Sequence, residues 1–294
     1  MSRSLNVLMI GNSFSICVGK FLPQMVRCFP GNHLNLTSCY IGGCSLETHW
    51  NNFVEAGKNP DFKPYLITIR DSSTLRKPVF PGNVNALLKG EKYDIVTIQQ
   101  ASRWSVDYET YQPFADELIK QIKQYQPQAE ILIQQTWSYR ADAPFLREND
   151  IDNGEMYSRL EKAYNQLAKD YGFRIIPTGH AVQVFRARTP VKFRNYDWNM
   201  LDTLQWPDLP PQAGDVVGKF KWYKNPDGEM VIYRDTNHLN MHGEYLQAAV
   251  WCGFLYGVDP EAITYVAPQI GKTDAAFLRK CAKEALLTFK QIRE

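Results

Sequence analysis

The chain carries almost no excess charge: 33 Lys and Arg stand against 31 Asp and Glu, a net charge of +2. That balance removes the electrostatic case for binding nucleic acid or an anionic membrane, both of which need clustered basic residues. No CxxC pair and no metal-ligand spacing occurs among the six cysteines, Cys17, Cys28, Cys39, Cys44, Cys252 and Cys281. Most lie within apolar stretches, so buried thiols are expected rather than a disulfide framework, and no metal is implied. No apolar run is long enough to span a bilayer. The first strand-like run starts by residue 5, which leaves no room for a secretory signal ahead of it. As it stands the chain is expected in the cytoplasm, or in the periplasm or outside the cell if a signal peptide has been removed. Internal repeats and low-complexity segments are also missing.

What is present is an ordinary globular composition. At 294 residues, 44% apolar and 22% charged, the chain can bury a substantial core and is expected to form one domain over residues 1–294. Strand-like runs recur at residues 6–10, 34–41, 94–100, 130–136 and 173–177. Between them lie helical patterns. Residues 14–28 are apolar at helical spacing, with Pro23 expected to bend or delay the helix. Residues 111–125 carry the stripe Phe114, Leu118, Ile119 and Ile122, and residues 152–171 repeat it through Tyr157, Leu160, Ala163, Tyr164 and Leu167. Strands alternating with helices predict an α/β fold whose mainly parallel sheet is covered on both faces. Residues 243–256 and 274–292 read as two closing helices.

Two stretches break the alternation. Residues 64–81 lack helical pattern and predict an extra strand or a covering loop. Residues 188–234 form an insertion rich in Trp, Pro, Asn and Asp. Within it Asn225-Pro226-Asp227-Gly228 separates residues 219–223 from 230–234, which predicts a β-hairpin. An insertion of this length is expected to wall a site.

The chemistry starts at Gly11-Asn12-Ser13-Phe14-Ser15, where an apolar strand breaks and delivers a serine. By itself this is ordinary turn and helix-cap chemistry. A serine in the first turn of a helix also points its hydroxyl at a place where free N–H groups and the helix dipole stabilise a developing oxyanion. Near the other end, Asp235-Thr236-Asn237-His238 brings a carboxylate within reach of an imidazole. On a tight turn the carboxylate accepts from one ring nitrogen and leaves the other free to act as general base toward a serine. The pair follows the insertion and precedes a helix, so it is expected on a loop. A Ser, a His and an Asp are the components of nucleophilic acyl transfer.

Together these residues resemble the outer blocks of the SGNH (GDSL-like) hydrolase superfamily, the first block holding the nucleophile and the last the Asp and His. Tyr40-Ile41-Gly42-Gly43-Cys44-Ser45-Leu46 resembles its second block, whose glycine gives a backbone N–H to the oxyanion hole; Gly43 is preferred over Gly42. The resemblance extends over nearly the whole chain. It implies a three-layer α/β/α, flavodoxin-like SGNH-hydrolase fold, with the aromatic-rich insertion near 188–234.

The third block departs from the pattern. That superfamily usually ends the strand with Gly-x-Asn-Asp, the Asn donating to the oxyanion. Here the strand runs into Gln99-Gln100-Ala101-Ser102-Arg103-Trp104. Counting aligns Arg103 with the Asn, whereas an amide one methylene longer makes Gln100 the chemical substitute. A bacterial subgroup long catalogued as a domain of unknown function shares the Gln-Gln ending, the Gly-Asn-Ser-Phe start and a final Asp-x-x-His-Leu, and this chain resembles it.

The resemblance implies a serine esterase with Ser13, His238 and Asp235 as triad, Ser13, Gly43 and Gln100 as oxyanion hole, and no cofactor. His49 could line the pocket or be a helix residue with a local partner, and His242, one turn past His238, lacks a second cluster for a metal. Trp104, Trp137, Trp198, Trp206 and Trp222 are read together as rings that stack on sugars in a half-wet cleft. Any one of these rings could instead be a core residue, but the resemblance includes many carbohydrate deacetylases, so with the set of rings it implies an O-acetylated carbohydrate as substrate, whether a small molecule or a polysaccharide, with no nucleic-acid or membrane partner. The rivals are a lipase- or thioesterase-type acyl hydrolase and a non-catalytic glycan-binding module on a degenerate esterase scaffold.

Overall fold

A computed structural model describes residues 2–75 and 77–291. Val7, Leu8, Met9 and Ile10 are buried, as a strand covered on both faces must be. They belong to β1 (Ser4–Gly11), from which the sheet grows in both directions. On one side β2 (His33–Tyr40) pairs in parallel, with Ser4 opposite His33 and Gly11 opposite Tyr40. The segment 64–81 extends that edge with two antiparallel strands, β3 (Tyr65–Asp71) and β4 (Val79–Gly82). On the other side follow β5 (Ile95–Ile98), β6 (Glu130–Gln134) and β7 (Arg174–Ile176), all parallel, with Val7 opposite Ile95. The order is β4-β3-β2-β1-β5-β6-β7. Chain direction across the sheet reverses between β1 and β5, so the loops leaving their carboxyl ends diverge and open a crevice there.

The expected helix over 14–28 breaks into α1 (Ser13–Ile16), a 3-10 turn (Cys17–Lys20) and α2 (Leu22–Val26). Pro23 sits in the first turn of α2, where its missing N–H costs no hydrogen bond. Next come α3 (Leu46–Lys58), α4 (Val84–Gly90), α5 (Phe114–Tyr125), α6 (Pro144–Glu148) and α7 (Asn153–Tyr171). Asp152 caps α7 and Gly172 ends it in the left-handed region, while Leu160, Ala163, Tyr164 and Leu167 bury the stripe read from sequence. After β7, α8 (Thr178–Arg188), α9 (Met241–Tyr256) and α10 (Lys272–Thr288) pack on one another, and α9 also on α2. The last expected helix reaches residue 292, which lies outside the described residues. Among the described residues no helix is long and apolar enough to cross a membrane. All six cysteines are free thiols.

The insertion folds as a separate two-stranded sheet, β8 (Val217–Lys224) against β9 (Met230–Leu239). At its turn Gly228 donates to the Asn225 carbonyl at 3.0 Å. Strand β9 runs beyond the hairpin predicted for it and carries Asp235 and His238. The expectation of a loop there is therefore corrected: Asp235 stands opposite Lys219 in the ladder, next to a bulge between Val217 and Lys219. A buried ion pair anchors the insertion. Arg140 holds Asp142 bidentately at 2.7 and 2.8 Å, with the rings of Phe193 and Phe220 each 4.8 Å from its guanidinium. Tyr196 and the indole N–H of Trp198 donate to the same Asp142. The charge is tolerable because it is paired, hydrogen-bonded and stacked.

Candidate active site

Asn12, not Ser13, caps α1: its Oδ1 accepts from the Phe14 N–H at 2.9 Å. That leaves Ser13 as the first helical residue, at the carboxyl end of β1 beside the crevice. Four buried side-chain amides hold the corner. Gln99 Nε2 donates to Asn12 Oδ1 at 2.7 Å, and Asn12 Nδ2 donates to the Cys44 carbonyl at 3.0 Å, tying the Ser13 turn to the segment 40–46. The Phe14 carbonyl accepts from Gln134 Nε2 at 2.6 Å and from Gln247 Nε2 at 2.9 Å. Sequence reasoning missed Gln134 and Gln247. For Gln247 the signal was a single amide inside the apolar run 245–250, and for Gln134 an amide pair, Gln134-Gln135, at the end of an apolar strand, where a buried polar group must find a partner.

His238 meets Ser13 across 225 residues of chain, with Nε2 2.8 Å from Oγ. Its Nδ1 lies 3.1 Å from each carboxylate oxygen of Asp235, which fixes the tautomer with Nδ1–H donating. Asp235 Oδ1 also accepts the backbone N–H groups of Asn237 and His238, at 3.1 and 3.0 Å, so the carboxylate organises the end of the strand that carries it. Burial pushes the Asp235 carboxyl up, but the hydrogen bonds and charge of His238, with the Asn237 N–H, outweigh it and hold the group below the ordinary carboxylate value. Opposite, Gly218 has φ +82°, and a Cβ there would lie 2.9 Å from both the Asp235 carbonyl and the Arg140 guanidinium carbon. Only glycine fits this bulge.

The segment after β6 braces the same end of β9. Arg140 N–H donates to the Thr236 carbonyl at 3.0 Å, and Trp137 Nε1–H to the Asn237 carbonyl at 2.8 Å. Trp137 is buried and stacks on Phe14 with centroids 4.2 Å apart, while the Phe14 ring meets His238 edge-on at 5.4 Å. Trp137 is thus a brace between the Ser13 turn and the His238 end of β9, which corrects its expected role as a substrate-facing ring.

Of the expected oxyanion groups, two backbone N–H groups are free and one side chain is not. Gly43 lies in the left-handed region at φ +64°. Among the described residues, neither its N–H nor that of Ser13 has a hydrogen-bond partner. Gln100 is buried and fully committed: Nε2 donates to the Thr110 carbonyl at 2.8 Å, and Oε1 accepts from Leu46 N–H at 3.1 Å and Ala101 N–H at 2.7 Å. The Gln100 assignment is corrected for that reason. β5 ends at Ile98, and the following turn aims this amide at the start of α3 instead. Arg103, the rival by counting, lies over the exposed ring of Trp104 at 4.9 Å.

The remaining expected residues are also placed elsewhere. His49 is wholly buried, with Nδ1 2.9 Å from the Tyr65 hydroxyl, and burial lowers its pKa to about 3. It packs α3 on β3 and lines no cleft, because an imidazole at the inner face of α3 turns toward the sheet. His242 pairs with Asp274 at 3.4 Å. A cleft of about 560 Å³ opens over Ser13, Asp235 and His238, and none of the seven tryptophans lines it. Trp198 is held by the Asp142 carbonyl and Trp222 by the Asp208 carbonyl, while Trp206 is the most exposed of the set. The insertion contributes Lys219 and Tyr233 to the cleft instead, and the end of β9 adds Asp235, His238 and Leu239.

The sequence family described as Domain of unknown function (DUF4886) matches residues 6–199. No curated protein matches the chain in sequence. Among solved structures, the fold is similar to that of a DUF4886 family protein from Bacteroides uniformis, at 24% identity and a TM-score of 0.78, over 99% of this chain and 98% of that one. It is also similar to a provisionally assigned SGNH hydrolase from Slackia heliotrinireducens, at 18% identity and a TM-score of 0.51, over 86% of this chain and 100% of that one. At these identities the likeness concerns the fold, which is the three-layer SGNH-hydrolase arrangement.

Proposed function

The chain belongs to the DUF4886 family, and from that premise and the SGNH-hydrolase fold we propose that it is a serine esterase. The observation that carries the reading is the continuous line Ser13 Oγ, His238 Nε2, His238 Nδ1, Asp235, with contacts of 2.8 and 3.1 Å. Ser13 attacks the ester carbonyl while His238 Nε2 takes its proton. Asp235 keeps the imidazole in the tautomer that can accept it and stabilises the imidazolium. The N–H groups of Ser13 and Gly43 hold the oxyanion. His238 then protonates the departing alkoxide; in the second half it deprotonates a water that attacks the acyl carbon, and returns that proton to Ser13 Oγ as the Ser13–acyl bond breaks and the acid leaves.

The acyl acceptor in this reading is water, and the substrate is an ester of modest size. An O-acetylated carbohydrate keeps the support of the resemblance but not that of a tryptophan-lined rim, which this cleft lacks. A lipase-type groove would need a long apolar lining, and here Ile16 and Leu239 stand among charged neighbours. A glycan-binding module has no need of an aligned base and nucleophile. The test is hydrolysis of 4-nitrophenyl acetate by the native chain and by Ser13→Ala. Triad members act as a unit, so the variant should lose about three decades in turnover. Equal rates from both proteins would sink the proposal.

A further inference from the structure

Among the residues lining the cleft are four cations, Lys20, Arg70, Lys77 and Lys219, against two carboxylates, Asp235 and Glu244. Both carboxylates are engaged, Asp235 with His238 and Glu244 with Lys20. Among the described residues Arg70, Lys77 and Lys219 pair with no carboxylate. They come from three separate places: β3, the β3–β4 connection and β8. Arg70 is half-buried beside Gly19, in the turn that follows the nucleophile, and its Nε is buried without an acceptor. The whole chain is close to neutral, so this local excess is not a by-product of a basic protein.

We propose that the cleft selects anionic esters, in which the acyl or the alcohol part carries a carboxylate, sulfate or phosphate that Arg70 and Lys219 receive. The inference rests on the esterase reading of the same site. A guanidinium suits such a group because its fork matches two oxygens of one anion, and Lys219 adds a point charge from the opposite strand pair. Glu244 offsets Lys20, so among the described residues Arg70, Lys77 and Lys219 carry the unpaired positive charge of the cleft. A cleft with low-dielectric walls focuses that charge and raises the local concentration of an anionic substrate. The rival account, that these cations merely stabilise the tetrahedral oxyanion, would speed neutral and anionic esters alike.

The test uses the full chain and two matched pairs. One pair is 4-nitrophenyl acetate and mono-4-nitrophenyl succinate, which puts the charge on the acyl side. The other is the acetate esters of 3-hydroxybenzamide and 3-hydroxybenzoate, which puts it on the leaving group. After correction for hydroxide rates, the anionic member of at least one pair should have kcat/KM about ten-fold higher at low ionic strength. That preference should shrink toward parity as sodium chloride is raised, because screening weakens attraction between exposed charges. Arg70→Gln and Lys219→Gln should each lower the anionic-to-neutral ratio several-fold, chiefly through KM. Ser13-dependent hydrolysis of 4-nitrophenyl acetate with no anion preference in either pair would overturn this inference and leave the esterase reading intact. Absence of Ser13-dependent hydrolysis of every ester would remove both.

Discussion

Replacing Gln100 by Ala should damage stability first and turnover only as a consequence. The side chain is 1% exposed and makes bonds of 2.8 Å to the Thr110 carbonyl, 3.1 Å from Leu46 N–H and 2.7 Å from Ala101 N–H. Truncation removes all of them and leaves three backbone groups without their partner. Each orphaned buried group costs roughly 1–3 kcal/mol, less where water can enter the vacated space. Leu46 and Ala101 are buried and Thr110 is partly exposed, so the expected loss is about 3–5 kcal/mol. Leu46 begins α3, directly after the Gly43 turn, so its release also loosens the second block. Urea unfolding followed by tryptophan fluorescence measures the first effect, and aryl acetate kinetics well below the unfolding transition measure the second. Gln100→Met, which keeps most of the volume but none of the bonds, should lose nearly as much stability. An Ala variant of native stability that turns over about two decades more slowly would refute this reasoning and restore Gln100 as an oxyanion donor.

Four further outcomes follow from the same geometry. Asp235→Asn keeps an oxygen for the Asn237 and His238 N–H groups but turns an amide donor toward Nδ1, so the chain should fold while kcat falls by about four decades; a loss below ten-fold would argue against the tautomer role. Gly43→Ala must either bear about 1–2 kcal/mol of left-handed strain or rotate its N–H away, so kcat should fall more than KM rises, whereas Gly43→Asn, which tolerates that region, should be milder. His49 titrates at about 3 when folded and near 6.5 when unfolded, so the unfolded chain binds more protons between those values. Stability should therefore be full above the unfolded value and fall as pH drops toward 3, by up to about 1.4 kcal/mol per pH unit from this group, and His49→Gln should flatten that slope in urea titrations. Trp137→Phe preserves the stack on Phe14 but orphans the Asn237 carbonyl, which should lower stability by about 1–2 kcal/mol and turnover about ten-fold; native kinetics in this variant would show that the base needs no brace.

Much of the architecture could be read from residue order alone. Continuous apolar runs such as Val7 to Ile10 mark strands buried on both faces, and the stripe through Leu160 and Leu167 marks a helix lying on them, because burial acts on every residue of an element and leaves a periodic trace. The types Ser, His and Asp at 13, 238 and 235 were legible as chemistry, since few other combinations activate a hydroxyl. Their meeting was decided by the sheet order, which puts β1 at the reversal point, and by the bulge at Gly218, which aims the end of β9. Orientation was beyond reach where one side chain has several equivalent uses. Gln99, Gln100, Gln134 and Gln247 carry the same amide, and only the surrounding backbone determines which N–H or carbonyl each one serves. The tryptophans were ambiguous for a related reason, as a ring that is apolar with one donor suits a core brace as well as a sugar platform. Lys20, Arg70, Lys77 and Lys219 are scattered along a chain of nearly balanced charge. Sequence records each as one more solvated base, and only the tertiary fold, by bringing distant elements to one cleft, makes their like charges neighbours, among which Lys20 alone is offset by a carboxylate of the described residues, Glu244.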